Sequence, residues 1–262
     1  MNTISWEDFL QGKLLAIGDI AATIGVFDGV HVGHQKLIEE IARKSPLFET
    51  VIFTFRENPA LVLNRNRFRG TIMSLDSRLE IFHRLGVGST VLIDFSPNFS
   101  KLSGIDFLKK IIQNICLRYL AVGKNFTCGY RADTNSVSIR SVLSRQGIEV
   151  AILDPVTFEN DPVSSTRIRE SIINGELTRT NRMLGKNFVL EIPVNAQRKS
   201  KNGMTVSRKE VFQVLPNPGL YPVVLENPEQ SIQSTIEITS SGLSWHQDET
   251  FRTDKIVFTG KP

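Results

Sequence analysis

Two histidines, His31 and His34, stand three residues apart in a stretch punctuated by glycine, Ile-Gly-Val-Phe-Asp-Gly-Val-His-Val-Gly-His-Gln over residues 24–35. Gly25, Gly29 and Gly33 let the backbone pass close to a ligand or take positive φ. His34 falls at or just before the first turn of a helix, where free N–H groups and the positive end of the macrodipole favour an anion. Two imidazoles facing such an anion suit phosphate chemistry. The same residues also suit a plain strand-to-helix turn with surface histidines, and spacing alone leaves both readings open.

A second run with chemical potential is Val163-Ser-Ser-Thr-Arg-Ile-Arg-Glu170, which follows Asp161-Pro162. Ser164, Ser165 and Thr166 are N-capping types at the start of a helix. Arg167 and Arg169 follow, and arginine can hold phosphate oxygens bidentately. A bare capping run with solvated arginines reads the same way.

These residues need elements to position them. Ala21–Phe27 has the apolar run of a buried strand, and Leu37, Ile38 and Ile41 repeat at helical spacing, with Glu39 and Glu40 on the early turns of that helix. Further strands are expected at Thr50–Phe55, Thr90–Phe95, Tyr119–Val122 and Glu149–Leu153. Helices are expected at Ser74–Leu85, with a Ser77-x-x-Glu80 capping pattern, at Ser103–Leu117 and at Asn135–Gln146. Alternation at this spacing predicts an α/β fold with a doubly wound parallel sheet, in which ligands bind beyond the carboxyl ends of the strands. The glycine-histidine turn, Arg56–Pro59 and Gly123–Gly129 all follow strands and would meet at that edge. Beyond Gly185 helical periodicity fades. Phe188–Val194, Met204–Ser207, Tyr221–Leu225 and Thr235–Thr239 read as strands, with turns at Asn202-Gly203 and Ser241-Gly242. Prolines at 216, 218, 222 and 228 place those strands at edges or strand starts. The expected division is residues 1–185 as an α/β domain and 186–262 as a small all-β, barrel-like domain.

Gly25–His34 resembles the first signature of nucleotidyltransferases that carry a His-x-Gly-His turn. Its wider wording is most similar to the bacterial FAD synthetases, which join an FMN adenylyltransferase to a riboflavin kinase. Ser164–Arg169 resembles the Ser-Ser-Thr-x-x-Arg second signature of the same family. The resemblance covers roughly residues 15 to 185. It implies a Rossmann-like nucleotidyltransferase that transfers AMP from ATP to FMN, giving FAD and pyrophosphate. His31, His34 and Arg167 would be catalytic, and Gly25, Phe27, Asp28, Gly33, Ser164, Ser165 and Thr166 would bind ATP. Mg²⁺ would ride on the ATP phosphates, with no protein metal ligands. Val122–Gly129 resembles the family's glycine-bounded Asn/Asp-Phe segment, which implies flavin contacts at Asn125 and Phe126; Thr127 and Cys128 stand where the family usually has Arg-Phe. Thr54–Pro59 is similar to a Thr-Phe-Glu-Pro-x-Pro turn, from which Arg56, Glu57 and Asn58 depart. Phe55 could stack on the isoalloxazine there, or sit in the core as strand-end phenylalanines often do.

The kinase part reads differently. Leu215–Val223 resembles the start of a strand in the kinase barrel, but the Gly-x-Pro-Thr-Ala-Asn motif that marks the kinase has no counterpart between Gly185 and Pro216. The nearest wording is Gly203–Arg208, beside a basic run over residues 198–203, and the catalytic glutamate segment is not recognisable in Lys255–Gly260. The expectation is a degenerate or lost kinase. A diverged kinase site, an adenylyl- or cytidylyltransferase acting on another acceptor, and a silent nucleotide- or flavin-binding protein stay open.

Composition sets outer bounds. Of 262 residues, 40% are hydrophobic and 22% charged, which is ordinary for a globular protein. A net charge of +4 suits anionic ligands but is too diffuse to argue for nucleic acid. Cys116 and Cys128 offer neither a metal spacing nor a disulfide framework, and Cys116, in an apolar helical run, is expected in the core. The N-terminus lacks a basic, apolar leader and no window has the length of a membrane span, so the expectation is a cytoplasmic protein whose partners are ATP and FMN. Oligomeric state is not legible.

Overall fold

Residues 1–14, 18–63, 66, 68–200, 203–246 and 251–260 are described in the computed structural model. They group into two units, Met1–Phe68 with Leu75–Pro162, and Arg69–Ser74 with Val163–Pro262.

The first unit alternates strand and helix. Its elements are β1 (Asn2–Ser5), α1 (Trp6–Leu10), β2 (Ile20–Ile24), α2 (Val32–Ala42), β3 (Glu49–Phe55), α3 (Pro59–Leu63), α4 (Leu75–Arg84), β4 (Ser89–Ile93), α5 (Gly104–Asn114) and β5 (Leu117–Gly123). There follow β6 (Thr127–Cys128), β7 (Thr134–Asn135), α6 (Ser136–Ser144), β8 (Glu149–Leu153), β9 (Thr157–Phe158) and β10 (Asp161–Pro162). Six strands form one sheet in the order β1-β4-β3-β2-β5-β8, with every pairing parallel. The order reverses between β2 and β5, which is where an open α/β sheet leaves a crevice at its carboxyl edge. β2 and β4 are buried along their whole length, as a sheet covered on both faces requires.

The N-terminal segment joins the sheet in a way periodicity did not reveal. Ser5 caps α1, accepting from the Asp8 N–H at 3.0 Å and donating to its carboxylate at 2.8 Å. Trp6 stacks on Phe9 at 5.2 Å, and Phe9 meets Phe53 edge-on at 5.2 Å. β1 pairs with β4 at the sheet edge.

Several expectations are corrected locally. β2 stops at Ile24 because the chain turns immediately afterwards. α2 begins at Val32, so Glu39 and Glu40 fall late in it. Ser77 lies inside α4, which starts at Leu75, and is therefore not a cap. Cys116 is exposed because α5 ends at Asn114; its thiol donates to Asp19 Oδ1 at 3.2 Å.

The second unit opens with α7 (Ser165–Ile173) and α8 (Leu177–Leu184), followed by β11 (Phe188–Glu191), β12 (Gln197–Ser200), β13 (Gly203–Ser207), β14 (Gly219–Glu226), β15 (Ser231–Ile238), β16 (Gly242–Trp245) and β17 (Lys255–Phe258). The seven strands pair antiparallel in the order β11-β17-β14-β15-β16-β13-β12. β12, β16 and β17 extend the expected strand set. The expected turn at Asn202-Gly203 falls partly outside the described residues, because Asn202 and the neighbouring Lys201 do. Pro222 lies inside β14, in the half of that strand that pairs with β15 alone, an edge position where a missing N–H breaks no second ladder. Residues 69–74 belong with this unit: Gly70, at φ +110°, lies so close to the Val214 backbone that a Cβ would meet it at 2.6 Å. The change of composition at Gly185 marks the last helix, whereas the units part earlier, after Pro162, because α7 and α8 pack with the β strands' unit.

If the N-terminal segment is core, Phe9→Ala should cost about 3–5 kcal/mol, as for other buried phenylalanines. Urea titration checks this, and a loss below about 1 kcal/mol, the size of a surface change, would contradict it.

Candidate active site

The glycine-histidine turn runs from the end of β2 into α2. His31 is the N-cap of α2, and its Nδ1 accepts from the His34 N–H at 3.4 Å. The two imidazoles stack, with centroids 3.6 Å apart and planes 18° from parallel. Gly33 makes this possible: a Cβ there would press on the His31 ring at 3.3 Å. Phe27 supports His34 from beneath, edge-on at 5.0 Å, and is itself backed by Phe82 of α4 at 5.7 Å. Gly25 leaves space for the Phe27 ring, which a Cβ would meet at 3.0 Å. Only Gly29 of the three glycines takes positive φ, at +84°. Phe27 and Val30 are also left-handed, at φ +54° and +40°, a strained arrangement worth about 1–3 kcal/mol per residue that packing must hold. Gln35 helps by donating to the Val30 carbonyl at 2.8 Å.

Asp28 is buried in the turn and accepts from Asn58 Nδ2 at 3.1 Å. Asn58 also accepts from the Ala60 N–H at 3.0 Å at the start of α3. One departure from the family wording therefore ties the loop after β3 to the loop after β2. Arg56 instead forms an exposed ion pair with Asp94 at 3.0 Å.

Arg78 of α4 was not flagged by sequence reasoning. Arg78 is 5% exposed, and its guanidinium donates to the carbonyls of Val26 at 2.7 Å, Phe55 at 2.8 Å and Arg56 at 3.1 Å. Burial pulls its pKa below the usual arginine range, and Asp28 opposes that shift. The only sequence signal was an arginine on the apolar stripe of a helix, beside Ile81 and Phe82.

The crevice beyond β2, β3 and β5 holds a cavity of about 540 Å³. Its wall includes Gly25, Val26, Phe55, Phe126, Thr127 and Cys128, so all three post-strand loops contribute. Phe95, Phe99 and Phe107 complete an aromatic lining in which Phe55 lies edge-on to Phe95 at 5.8 Å and to Phe99 at 5.9 Å. Sequence reasoning missed these three rings; two of them follow β4, and only the sheet order brings that strand's end to the crevice. Asn125 is exposed and is not part of this wall. Thr127 and Cys128, which depart from the family pattern, are. Burial, with a contribution from Asp133, pushes the Cys128 thiol up to about 12.

The second run lies in the second unit. Ser164 is the N-cap of α7, accepting from the Arg167 N–H at 3.3 Å, while Ser165 and Thr166 occupy the first turn. The last arginine of the Ser-Ser-Thr-x-x-Arg wording is Arg169, which donates to the Gly70 carbonyl at 2.9 Å and the Ser165 carbonyl at 3.3 Å. Among the described residues no group of three or more His, Cys, Asp or Glu is arranged to hold a metal.

A parallel sheet with a glycine-histidine helix start at its switch point defines a nucleotide-handling α/β protein of the nucleotidyltransferase class. Residues 16–167 match the family described as FAD synthetase, and the chain belongs to that family. It is similar to the bifunctional riboflavin kinase/FMN adenylyltransferase of Listeria monocytogenes, with 28% identity over 85% of this chain and 70% of the relative. The Bacillus subtilis protein of the same description is 26% identical over 78% of this chain and 66% of its own length. Other such relatives, including that of Buchnera aphidicola from Acyrthosiphon pisum, are matched over as little as 54% of their length. A crystal structure described as a macrolide-efflux protein from Streptococcus pneumoniae superposes with a TM-score of 0.80 at 22% identity, covering 98% of this chain and 89% of that one. At that identity the likeness speaks for fold alone. Among the described residues no helix is long and apolar enough to cross a membrane.

The raised thiol yields a test. At pH 8 only about 10⁻⁴ of Cys128 would be thiolate, so iodoacetamide should modify exposed Cys116 first. Cys128 labelling should rise about tenfold per pH unit up to pH 11, since only the thiolate reacts. Mass spectrometry reads both sites, and fast Cys128 labelling at pH 8 would show the thiol is not held in that wall.

Proposed function

We propose that the chain is an FMN adenylyltransferase. A phosphate oxygen of FMN attacks the α-phosphorus of ATP in line, the bond from that phosphorus to the bridging oxygen breaks, and pyrophosphate leaves with FAD as product. Such transfer depends on placement and charge stabilisation rather than on a protein nucleophile. The observation that carries the reading is the stacked His31–His34 pair on the turn whose Gly25 and Val26 also line the aromatic cavity. The cavity's aromatic wall suits a flat ring system, and the adjoining helix start suits phosphate.

In this reading His31 and His34 stabilise charge on the transferring and leaving phosphates. Gly25, Gly33 and Asp28 shape the ATP side of the turn. The Phe27 side chain is fully buried, so its part is to support His34, with any ATP contact made through its backbone. Ser164, Ser165, Thr166 and Arg167 hold the β and γ phosphates at the N-terminal turn of α7. Phe55 and Phe126 face the isoalloxazine, and exposed Asn125, next to Phe126, meets the flavin from outside that wall. Mg²⁺ enters as part of the ATP substrate. The chain works in the cytoplasm, with ATP and FMN as its partners.

Riboflavin phosphorylation is not part of this function. The motif that supplies oxygen ligands to a kinase's Mg-ATP is missing from the sequence of the second unit, and the β12–β13 hairpin presents Arg198 and Lys199 instead.

Purified protein given Mg-ATP and FMN should release FAD and pyrophosphate. Turnover only with another phosphorylated acceptor would redirect the assignment, and binding without turnover would make it a sensor. His34→Ala and Arg167→Ala should each lower the rate about 10²–10³-fold, the range for removing one donor aimed at developing charge, with thermal unfolding intact. Near-normal turnover in either folded variant removes that residue from the site. Riboflavin with ATP should give no FMN above a no-enzyme control.

A further inference from the structure

Arg78 has no part in the chemistry above, yet it is among the most heavily constrained polar residues of the first unit. We infer that Arg78 is a positioning residue that sets the phosphate-handling turn against the wall of the aromatic cavity; the inference rests on the functional reading just given.

Its three acceptors lie on the two loops that must be registered. Val26 opens the glycine-histidine turn, Phe55 ends β3 and Arg56 follows it, and both Val26 and Phe55 line the cavity. The Val26 carbonyl also accepts from Thr54 Oγ1 at 3.1 Å, and Asn58 reaches Asp28 at 3.1 Å, so the loops are tied at several points around the guanidinium. A guanidinium holds its donors in one rigid plane, which fixes acceptors relative to one another; an ammonium on a flexible stem does not.

Filling space does not explain the residue. Its Nε is buried without an acceptor among the described residues, and a buried charge is costly compared with an apolar side chain of similar volume. What the guanidinium supplies, and methionine would not, is the shared set of bonds to two loops. At 5% exposure it is also screened from direct contact with the reacting phosphates. Its influence must pass through the backbone it holds.

Arg78→Lys and Arg78→Met test this on the full chain by two readouts. Hydrogen exchange should show at least tenfold faster exchange of protected amides in segments 26–31 and 55–58, with β2, β3 and β4 otherwise unchanged. The kcat for FAD formation should fall about 10²-fold, the effect of a misplacement near 1 Å, while affinities for FMN and ATP stay within about threefold. Lysine should recover part of the loss and methionine none. The inference is overturned if folded variants keep kcat within about threefold of the parent, or if exchange rises uniformly, as from a general loss of stability. Should neither variant fold, Asn58→Ala cuts the second tie between the loops and must reproduce the local pattern; unchanged exchange there overturns the inference. If the unaltered chain makes no FAD, the functional reading falls, and the exchange pattern alone decides the role of Arg78.

Discussion

Backbone carbonyls at the carboxyl edge of a parallel sheet present a constraint that the rest of this protein answers. Where β2 and β3 end, the ladder ends too, and the freed carbonyls of buried turns must find donors. Thr54 and Arg78 supply them to Val26, and Arg78 supplies them to Phe55 and Arg56. One helix, α4, thus meets the edge twice, by charge-assisted hydrogen bonds through Arg78 and by packing of Phe82 on Phe27.

The turn stores strain that this support offsets. Phe27 and Val30 sit at positive φ, which for a β-branched residue is a true outlier. The strain is local to the histidine pair. Phe27 is fully buried, and its ring braces His34, which stacks on His31. Two of the three glycines make room for the protein's own rings rather than for left-handed backbone. The histidine pair is thus held by the packing of the turn itself.

The second unit follows a different logic. Its sheet is antiparallel, and its organising polar residue is Gln213, whose amide nitrogen donates to the carbonyls of Ile72 at 2.9 Å and Val189 at 2.8 Å while its oxygen accepts from the Glu191 N–H at 2.8 Å. That one side chain stitches the 69–74 segment to β11. The segment's membership in this unit, though it interrupts the first in sequence, follows from these bonds and from the close fit of Gly70. Arg169 reinforces it through the Gly70 carbonyl, so part of the Ser-Ser-Thr-x-x-Arg run serves structure as well as any ligand.

Sequence by itself determined what local periodicity and capping chemistry encode. The apolar run before Gly25 made β2, the spacing of Ile38 and Ile41 set the buried face of α2, and Ser164 capped α7 as its side chain predicts. The alternation of strand and helix also determined the class of sheet, and with it the edge where three loops meet. Tertiary structure alone decided the rest. Arg78 is a charge on the apolar stripe of α4, and only the ends of β2 and β3 that come against it give it a role. Phe95 and Phe99 became cavity wall because β4 lies next to β3 in the sheet, and Cys116 stayed outside because α5 ended two residues too soon. A residue's own neighbours in sequence fix its backbone preferences and the face it shows. Which groups desolvate it, and which buried carbonyl must be satisfied by it, depends on segments tens of residues away, and no periodicity records them.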